Sequence, residues 1–264
     1  MTTKELLLSA WDTRPLVPVM CGLALAGYLI HFRRRLVARA GFFVLATALF
    51  FVALASPIGT LARGYLFSAH MLQHLILMLA VPPFVLLSLP RERDAAQPKD
   101  WGAIGYGGSW LAGVGAMWIW HARTLCNAAA VSTTVQWLQT GSLIVMGLAF
   151  WRPVLAPRIS DRVPTFPGVL YLFAACVACT ILGIMVTLSP VEVCSAYMHP
   201  VDALGVMPLL RDGWGLTHQA DQELGGLMMW VPACLVYAAA ILATLGRYYA
   251  GEHASATHAA GSAE

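Results

Sequence analysis

The chain has 264 residues, of which 59% are hydrophobic and only 11% are charged, and its mean hydropathy is +0.69. One soluble core cannot hide so large an apolar fraction, so the composition excludes a soluble globular protein and indicates a membrane protein with the lipid bilayer as its surroundings. The formal net charge is +3. The sequence shows no basic patch suited to nucleic acid, and we expect no nucleic-acid partner.

Seven apolar runs, taken in chain order, are candidates to cross a bilayer as helices, which takes about 20 residues each. They are residues 15–32, 36–55, 66–90, 101–120, 131–151, 167–189 and 222–246. Together they leave no room for a soluble domain of useful size. The predicted fold class is therefore all-α, a polytopic transmembrane helix bundle over residues 1–250. A disordered cytoplasmic tail, rich in small residues, is predicted over 251–264.

Arginine and lysine set the predicted orientation. Eleven of the 16 basic residues lie in the segments that follow the first, third, fifth and seventh runs. Cytoplasmic loops carry the excess of these residues, so we expect the amino terminus outside and the carboxyl terminus inside. The positive cluster follows the first apolar run instead of preceding it, which is unlike a cleavable signal peptide. The first run is therefore expected to stay as a helix.

The third run places two histidines at the mouth of an apolar stretch, in "SAHMLQHLILMLAVPPFVLLSLP". Residues four apart share one helical face, so His70, His74 and Met78 form a stripe that descends roughly 12 Å at 1.5 Å per residue. Pro82 and Pro83 predict a break in the helix below it. Imidazole and thioether together suit copper, particularly Cu(I). Two ligands on adjacent turns make half a site, and a second helix must supply the rest.

The predicted orientation brings further polar side chains to the same outer surface. His121 closes the fourth run in "MWIWHARTLC", and Asp221 lies at the start of the seventh in "HQADQELGGLMMWVP". Asp221 has two interpretations, a helix cap favoured by the helix dipole or a functional group at a metal site. The histidines have a structural alternative as interfacial residues, and the methionines as packing residues. Small and sulfur-containing residues follow Asp221 and predict close approach of another helix: Gly225, Gly226, Met228 and Met229.

The cysteines allow more than one interpretation. "CVAC", with Cys176 and Cys179, has redox or metal spacing, but it lies in an alanine-rich run where small residues ease helix packing, and packing is our preferred interpretation. Cys126 and Cys194 fall in predicted outer loops, where an oxidising compartment permits a disulfide. We prefer the disulfide, with copper-binding thiolates as the alternative. The chain has no phosphate-binding glycine loop and no serine nucleophile motif, so we expect that it is not an enzyme.

Four motifs occur in order along nearly the whole chain: "HMLQH" leading into "PPFVLLSLP", then "WIWH", "FWRPVL" and "DQELGGLMMWVP". In this order they resemble the CtaG family of membrane proteins, assembly factors of caa-type cytochrome c oxidases. The resemblance implies a seven-helix protein of the bacterial inner membrane that is required for an active haem-copper oxidase, at the stage of copper insertion. The chain departs from the family after "WIWH", where it reads "HARTLCN" in place of a proline and a leucine-tyrosine pair. The positions that match the family are His70, Gln73, His74, His121, Asp221, Gln222 and Trp230.

The resulting hypothesis is a membrane assembly factor that binds Cu(I) transiently near the outer surface. His70, His74 and His121 would be nitrogen ligands, Asp221 a ligand or a partner that orients an imidazole, and Met78 an auxiliary sulfur. Its expected partners are subunit I or II of the oxidase and other copper chaperones. Two alternatives stay open. One is a membrane haem protein that moves electrons between a quinone and an acceptor, and the other is an assembly scaffold without metal.

Overall fold

The computed structural model describes residues 2–33, 39–91 and 102–261, and within these ranges all regular structure is helical, with no strand. The predicted all-α class is confirmed. Short turns interrupt or join the α-helices: a π-turn at Ile76–Ala80, 3-10 turns at Ile159–Asp161 and Ser195–Tyr197, and a π-turn at Leu209–Gly213. The α-helices are α1 (Thr3–Ser9), α2 (Leu16–Phe32), α3 (Ala40–Ala55), α4 (Pro57–Ala62), α5 (Phe67–Leu75), α6 (Val81–Ser88), α7 (Gly102–Trp120), α8 (Arg123–Val131), α9 (Thr133–Leu155), α10 (Thr165–Thr187) and α11 (His218–Gly261).

Four helical stretches in the described part of the chain are long and apolar enough to cross a membrane: Phe67–Ser88, Thr133–Leu155, Thr165–Thr187 and His218–Ala250. The chain is thus a membrane protein. Helices α2 and α3 are apolar but shorter, with 17 and 16 residues, and α7 has 19 residues. Each of the seven predicted runs overlaps a helix, and a full crossing by α2, α3 and α7 stays a prediction. Helix α11 continues to Gly261, into the segment predicted to be a disordered tail.

The third run is not one regular helix. The π-turn Ile76–Ala80 separates α5 from α6 just before the proline pair that starts at Pro82, so the predicted break is present. Helix α9 packs against it, because Trp151 Nε1 donates a hydrogen bond of 3.2 Å to the Met78 carbonyl oxygen. Gly147 lies so close that a Cβ there would be 2.7 Å from Pro82 Cγ. The half-helix below the histidines is therefore held by α9.

Two adjacent glycines dock α11 against two different helices. A Cβ at Gly225 would lie 2.5 Å from Cδ1 of Phe67 and 3.2 Å from Cγ of Met71, both on α5. A Cβ at Gly226 would lie 2.7 Å from the backbone nitrogen of Thr187 on α10. The close approach predicted from these small residues is confirmed.

The end of the bundle where α5 begins, called here the histidine end, is covered by α1, α4 and the long loop 188–217. This loop contains the turns Ser195–Tyr197 and Leu209–Gly213. The covering segments share a small apolar core, separate from the main one, and one of its members, Leu66, directly precedes α5. The cover therefore lies over the start of α5. The buried residues of this core are Leu6, Ala10, Leu61, Tyr65, Leu66, Val206 and Leu210.

We expect Gly226→Ala to lower the thermal stability of the purified protein in detergent. The added Cβ would press on the Thr187 backbone, and overpacking of this kind costs about 1–3 kcal/mol. Gly246→Ala on the same helix is the matched control, because nothing lies within 4 Å of a Cβ there, and alanine favours helix over glycine. Thermal unfolding followed by circular dichroism measures both. Equal melting temperatures for the two variants would contradict the docking role of Gly226.

Candidate metal centre

Helix α5 and the end of α7 bring three buried histidines together. The ring centroids of His70 and His74 are 4.3 Å apart, and those of His74 and His121 are 5.4 Å apart. Their exposed fractions are only 1%, 2% and 6%. His121 lies just after the last residue of α7, where the chain turns into α8. The convergence of these side chains from two helices agrees with the sequence-based expectation.

The imidazoles of His70 and His74 are buried without hydrogen-bond partners. No hydrogen bond of normal geometry reaches a ring nitrogen of either residue within the described chain, although the Gln139 side chain lies beside His74. A buried polar atom left unpaired costs about 1–3 kcal/mol, and folded proteins keep few of them. Neutral imidazole nitrogen is also the commonest protein ligand of metal ions. The pair therefore has buried nitrogen atoms of the type that binds metal ions.

The third histidine faces a sulfur atom. His121 Nδ1 lies 2.6 Å from the Met117 carbonyl oxygen, and His121 Nε2 lies 3.1 Å from Met71 Sδ. A carbonyl oxygen can only accept, so we assign the ring proton to Nδ1, and Nε2 then carries the lone pair. A nitrogen lone pair and a thioether sulfur thus point at each other. Both are ligand types that Cu(I) prefers.

The sequence pattern predicted Met78, and not Met71, as the methionine that supplies sulfur to this site. The stripe through His70, His74 and Met78 assumes uninterrupted α-helix geometry, whereas Met78 lies within the π-turn Ile76–Ala80. The Met78 backbone contacts Trp151 and Gly147 of α9. Its role as an auxiliary sulfur stays a prediction. Met71, which the helical stripe does not include, is the methionine in contact with a histidine, and its place inside "HMLQH" was the available signal.

Asp221 caps helix α5. Its Oδ2 accepts a hydrogen bond of 2.8 Å from the Phe67 backbone nitrogen, and its Oδ1 accepts bonds of 3.0 and 2.5 Å from the backbone nitrogen and hydroxyl of Ser68. The carboxylate thereby satisfies free donors at a helix amino terminus and faces the positive end of its dipole. The cap of α11 itself comes from Thr217, whose hydroxyl accepts from the Ala220 nitrogen. The expectation that Asp221 caps its own helix is corrected, and its part in metal binding stays a prediction.

Other polar side chains fix the surroundings. Gln73 Nε2 donates a 2.8 Å hydrogen bond to the Ala53 carbonyl of α3. The Tyr197 hydroxyl donates one of 2.8 Å to the Ala62 carbonyl, and its ring centroid is 5.7 Å from that of His70. Burial raises the pKa of Tyr197, and the nearby negative charge of Asp221 adds to the effect, so the phenol stays a donor.

The two remaining positions that match the family motifs act in packing and loop placement. Gln222 holds the chain after α10, because its Oε1 accepts from the Val193 nitrogen at 2.9 Å and its Nε2 donates to the Ser189 carbonyl at 3.2 Å. Trp230 packs on Gly183, where a Cβ would lie 2.7 Å from Cβ of Trp230. Gln222 thus joins α11 to the loop after α10, and Trp230 joins α11 to α10 itself.

Cys126 and Cys194 form a disulfide between α8 and the long loop. The preferred prediction is confirmed, and the alternative of copper-binding thiolates at these positions is wrong because both sulfur atoms are used in the bond. Next to it, the Asn127 side-chain oxygen accepts a 2.8 Å hydrogen bond from the Ala196 nitrogen. Tyr197, which approaches His70, comes directly after Ala196. The disulfide therefore fixes the part of the loop that lies beside the histidines.

A cavity of about 80 Å³ reaches α5 from the side, and its lining includes Asp12, Arg14, Arg63, Gln73, Gln136 and Thr140. Asp12 and Arg63 form an ion pair of 2.6 Å there. Partial burial raises the pKa of Asp12, but hydrogen bonds from the Arg14 backbone and the Arg63 guanidinium outweigh it and hold the pKa at about 2. The cavity thus combines fixed charges with an inner wall formed by Gln73, the neighbour of His74 in sequence.

The histidines are neighbours and do not form a closed coordination site. Among residues 2–33, 39–91 and 102–261, no group of three or more His, Cys, Asp or Glu side chains is arranged to hold a metal ion. The ring planes of His74 and His121 are nearly perpendicular, at 89°. Binding of one ion by all three rings would need side-chain rotation, and Met71 would be the fourth nearby ligand.

Comparison with known proteins identifies the family of the chain. Residues 25–101 and 108–250 match the family described as cytochrome c oxidase caa3 assembly factor (Caa3_CtaG). The chain belongs to this family. No curated protein and no solved structure matches it. The matched ranges of this Caa3_CtaG member include the three histidines, Met71 and Asp221, so the cluster lies in the part of the chain that defines the family.

We expect Asp221→Asn to destabilise this Caa3_CtaG protein in the absence of copper. An amide cannot accept all three hydrogen bonds and carries no charge, which costs about 1–3 kcal/mol for a buried, charge-assisted group. Asp212→Asn, which removes the same charge from an exposed position in the loop, is the control. Chemical or thermal unfolding in detergent measures both variants. If Asp221→Asn unfolds at the same temperature or denaturant concentration as Asp212→Asn, the cap does not hold α5 in place.

Proposed function

We propose that this assembly factor binds copper as Cu(I) at His70, His74, His121 and Met71 and passes it to subunit I or II of a haem-copper oxidase. The observation that carries the proposal is the pair of buried imidazoles whose four ring nitrogens have no partner in the described chain. Copper is here the cargo of the protein. The proposal replaces Met78 by Met71 as the sulfur ligand, since Met71 contacts His121.

The ligand set favours Cu(I) over harder ions. Imidazole nitrogen and thioether sulfur are soft or intermediate ligands, whereas Mg²⁺ and Ca²⁺ require oxygen. The nearest carboxylate, Asp221, already accepts three hydrogen bonds from α5. Neutral ligands around a single positive charge also keep the net charge in the buried site low, which matters at membrane depth. Asp221 then acts as a positioning residue that sets where His70 and His74 lie.

An open arrangement suits a carrier. A site with four preformed ligands holds its ion tightly and releases it slowly. The three imidazoles here are close together without forming such a site. Transfer of the ion to a partner that offers a complete set of copper ligands is then favourable. The cavity beside Gln73 is lined by polar groups and leads toward α5.

The haem alternative receives less support from the geometry. A haem ligated from both faces separates its two imidazoles by the macrocycle. The rings of His74 and His121 have centroids 5.4 Å apart and stand edge to face, so they pack on each other and do not face each other across a flat macrocycle. The scaffold alternative needs no metal and gives no reason for buried, unpaired imidazoles.

We further propose seven membrane crossings, with the histidine end on the outside of the bacterial inner membrane. The disulfide at the histidine end supports this orientation, because disulfides form in oxidising compartments. Basic residues cluster at the opposite end, as cytoplasmic loops require. Those in the described chain are Arg33, Arg39, Arg91, Arg152, Arg158, Arg162 and Arg247.

The orientation predicts the activity of topology reporters. After Glu264, which is predicted inside, only a reporter that works in the cytoplasm should be active. Between Ser195 and Asp212, which is predicted outside, only a reporter that works outside the cytoplasm should be active. Alkaline phosphatase and a fluorescent protein at each position measure both. The reverse pattern would place the histidines at the cytoplasmic surface and contradict delivery to the outer face.

The copper proposal predicts that the purified protein binds about one Cu(I), measured by competition with a chromogenic Cu(I) chelator. We expect His74→Ala to lose binding and Met71→Leu to weaken it at least tenfold, since changes even to partners of a ligand cost about 10–100-fold. Met78→Leu is the matched control, a buried methionine on the same helical run, and should bind as the wild type does. Equal affinity of all variants would contradict the site.

In cells, the His74→Ala variant distinguishes a copper carrier from a scaffold that binds no metal. We expect His74→Ala at normal abundance to leave the oxidase without active copper, with partial recovery when copper is added, because mass action compensates for a weakened site. Full oxidase activity in this strain would favour the metal-free scaffold.

A further inference from the structure

Two free cysteines on neighbouring helices face each other within the bundle. Cys176 of α10 and Cys234 of α11 have their Sγ atoms 2.9 Å apart, and neither is in a disulfide. The Thr180 hydroxyl donates to the Cys176 carbonyl at 2.9 Å and lies 3.2 Å from Cys234 Sγ. The partner of "CVAC" on α11 lies 58 residues away from Cys176 in sequence, so the spacing of that motif alone did not show the pair.

The two sulfur atoms are within reach of a covalent bond. A disulfide has a sulfur–sulfur distance of about 2.05 Å, so closure takes a movement of about 0.9 Å. Side-chain rotation can supply that much. The helices themselves are already close, because Trp230 packs on Gly183 and Gly226 on Thr187 along the same contact.

The pair is open toward lipid. Cys176 and Cys234 are half-buried, and α10 and α11 are both apolar enough to span a membrane. Apolar side chains beside them are exposed on the outside of the bundle, with exposed fractions of 41% for Val177 and 69% for Leu235. In a bilayer such a surface contacts acyl chains. A reagent dissolved in the membrane therefore reaches these thiols more readily than one dissolved in water.

The other free cysteines are placed differently. Cys179 is buried, with its Sγ 3.7 Å from the Tyr237 hydroxyl. Cys21 is buried on α2, 3.9 Å from the Thr47 carbonyl oxygen. Each lacks the short thiol contact that joins Cys176 to Cys234, and both serve as internal controls.

We propose that Cys176 and Cys234 are a redox pair that a lipid-soluble quinone oxidises to a disulfide between α10 and α11. Two S–H bonds break and one S–S bond forms. The two electrons and two protons pass to the quinone, which becomes the hydroquinone. Dithiol and disulfide are both neutral, so neither state puts a charge into the hydrocarbon, whereas a thiolate-bound metal ion would.

The proposal is independent of copper binding. Gly225, which contacts Met71 of the candidate metal centre, precedes Cys234 by nine residues on α11. That separation is about 13 Å along the helix axis. The thiol pair therefore lies deeper in the bundle than the histidines.

The test uses the full chain in liposomes. The protein is treated with dithiothreitol, freed of the reductant under argon, and reconstituted with a fully substituted benzoquinone carrying an isoprenoid tail, or with its hydroquinone. After the protein is denatured in excess N-ethylmaleimide, so that buried thiols react as well, peptide mass spectrometry measures alkylation at each cysteine. We expect quinone to lower alkylation at Cys176 and Cys234 at least tenfold, to yield the peptide that links them, and to leave Cys179 and Cys21 alkylated. Hydroquinone should have no effect.

Cysteine variants show which two thiols form the disulfide. Cys176→Ser should leave Cys234 fully alkylated with quinone present, whereas Cys179→Ser should form the link as the wild type does. Full alkylation of Cys176 and Cys234 in wild-type protein after quinone would overturn the proposal. A covalent quinone adduct, a link through Cys179, or protection of the pair by added Cu(I) in place of disulfide formation would overturn it as well. The decisive measurement is on wild-type protein, so it does not depend on the folding of any variant.

Discussion

The contact between the Asp221 carboxylate and the amino terminus of α5 supports the arrangement at the histidine end. It joins α11 to α5 through three hydrogen bonds, from Phe67 and Ser68, which precede Asp221 by 154 and 153 residues. The negative charge meets the positive end of a helix dipole in a buried place, where both the attraction and the cost of losing it are large. His70 lies two residues after Ser68, so the same contact sets the height of the first imidazole. Gly225, one turn beyond Asp221, then allows α5 to lie close along α11.

Local patterns in the sequence were sufficient for the helices and for the small residues that allow close approach at Gly225 and Gly226, whereas the disulfide of Cys126 and Cys194 was predicted from the placement of both cysteines in outer loops. Local patterns were not sufficient where a contact depends on distant parts of the chain. Asp221 has the local pattern of a cap of its own helix, and nothing within α11 indicates that its donors are on α5. The stripe through Met78 shows a second limit of local patterns. A period of 3.6 residues holds only while the hydrogen bonding stays α-helical, and the π-turn Ile76–Ala80 changes the angular position of the residues within and beyond it.

If the cluster carries copper as proposed, it must balance two demands. Binding requires lone pairs that have no other partner, and these are supplied by His70 and His74. Release requires that the ion is not enclosed by a finished set of ligands, and the nearly perpendicular rings of His74 and His121 meet this requirement. The free energy cost of keeping unpaired nitrogens buried is borne by the packing around them, where α5, α9 and α11 interlock through glycines and a capped helix end.

The disulfide between Cys126 and Cys194 has a consequence for the biogenesis of the protein itself. In the proposed orientation, with the histidine end outside, the bond would form only after α8 and the long loop have been translocated, since the cytoplasm keeps thiols reduced. Tyr197, three residues after Cys194, takes its place beside His70 when that loop is fixed. Maturation of the cluster therefore comes after membrane insertion in time. On the proposed function, a newly made chain in the cytoplasm would have the histidines without their finished surroundings, which would keep it from sequestering copper on the wrong side of the membrane.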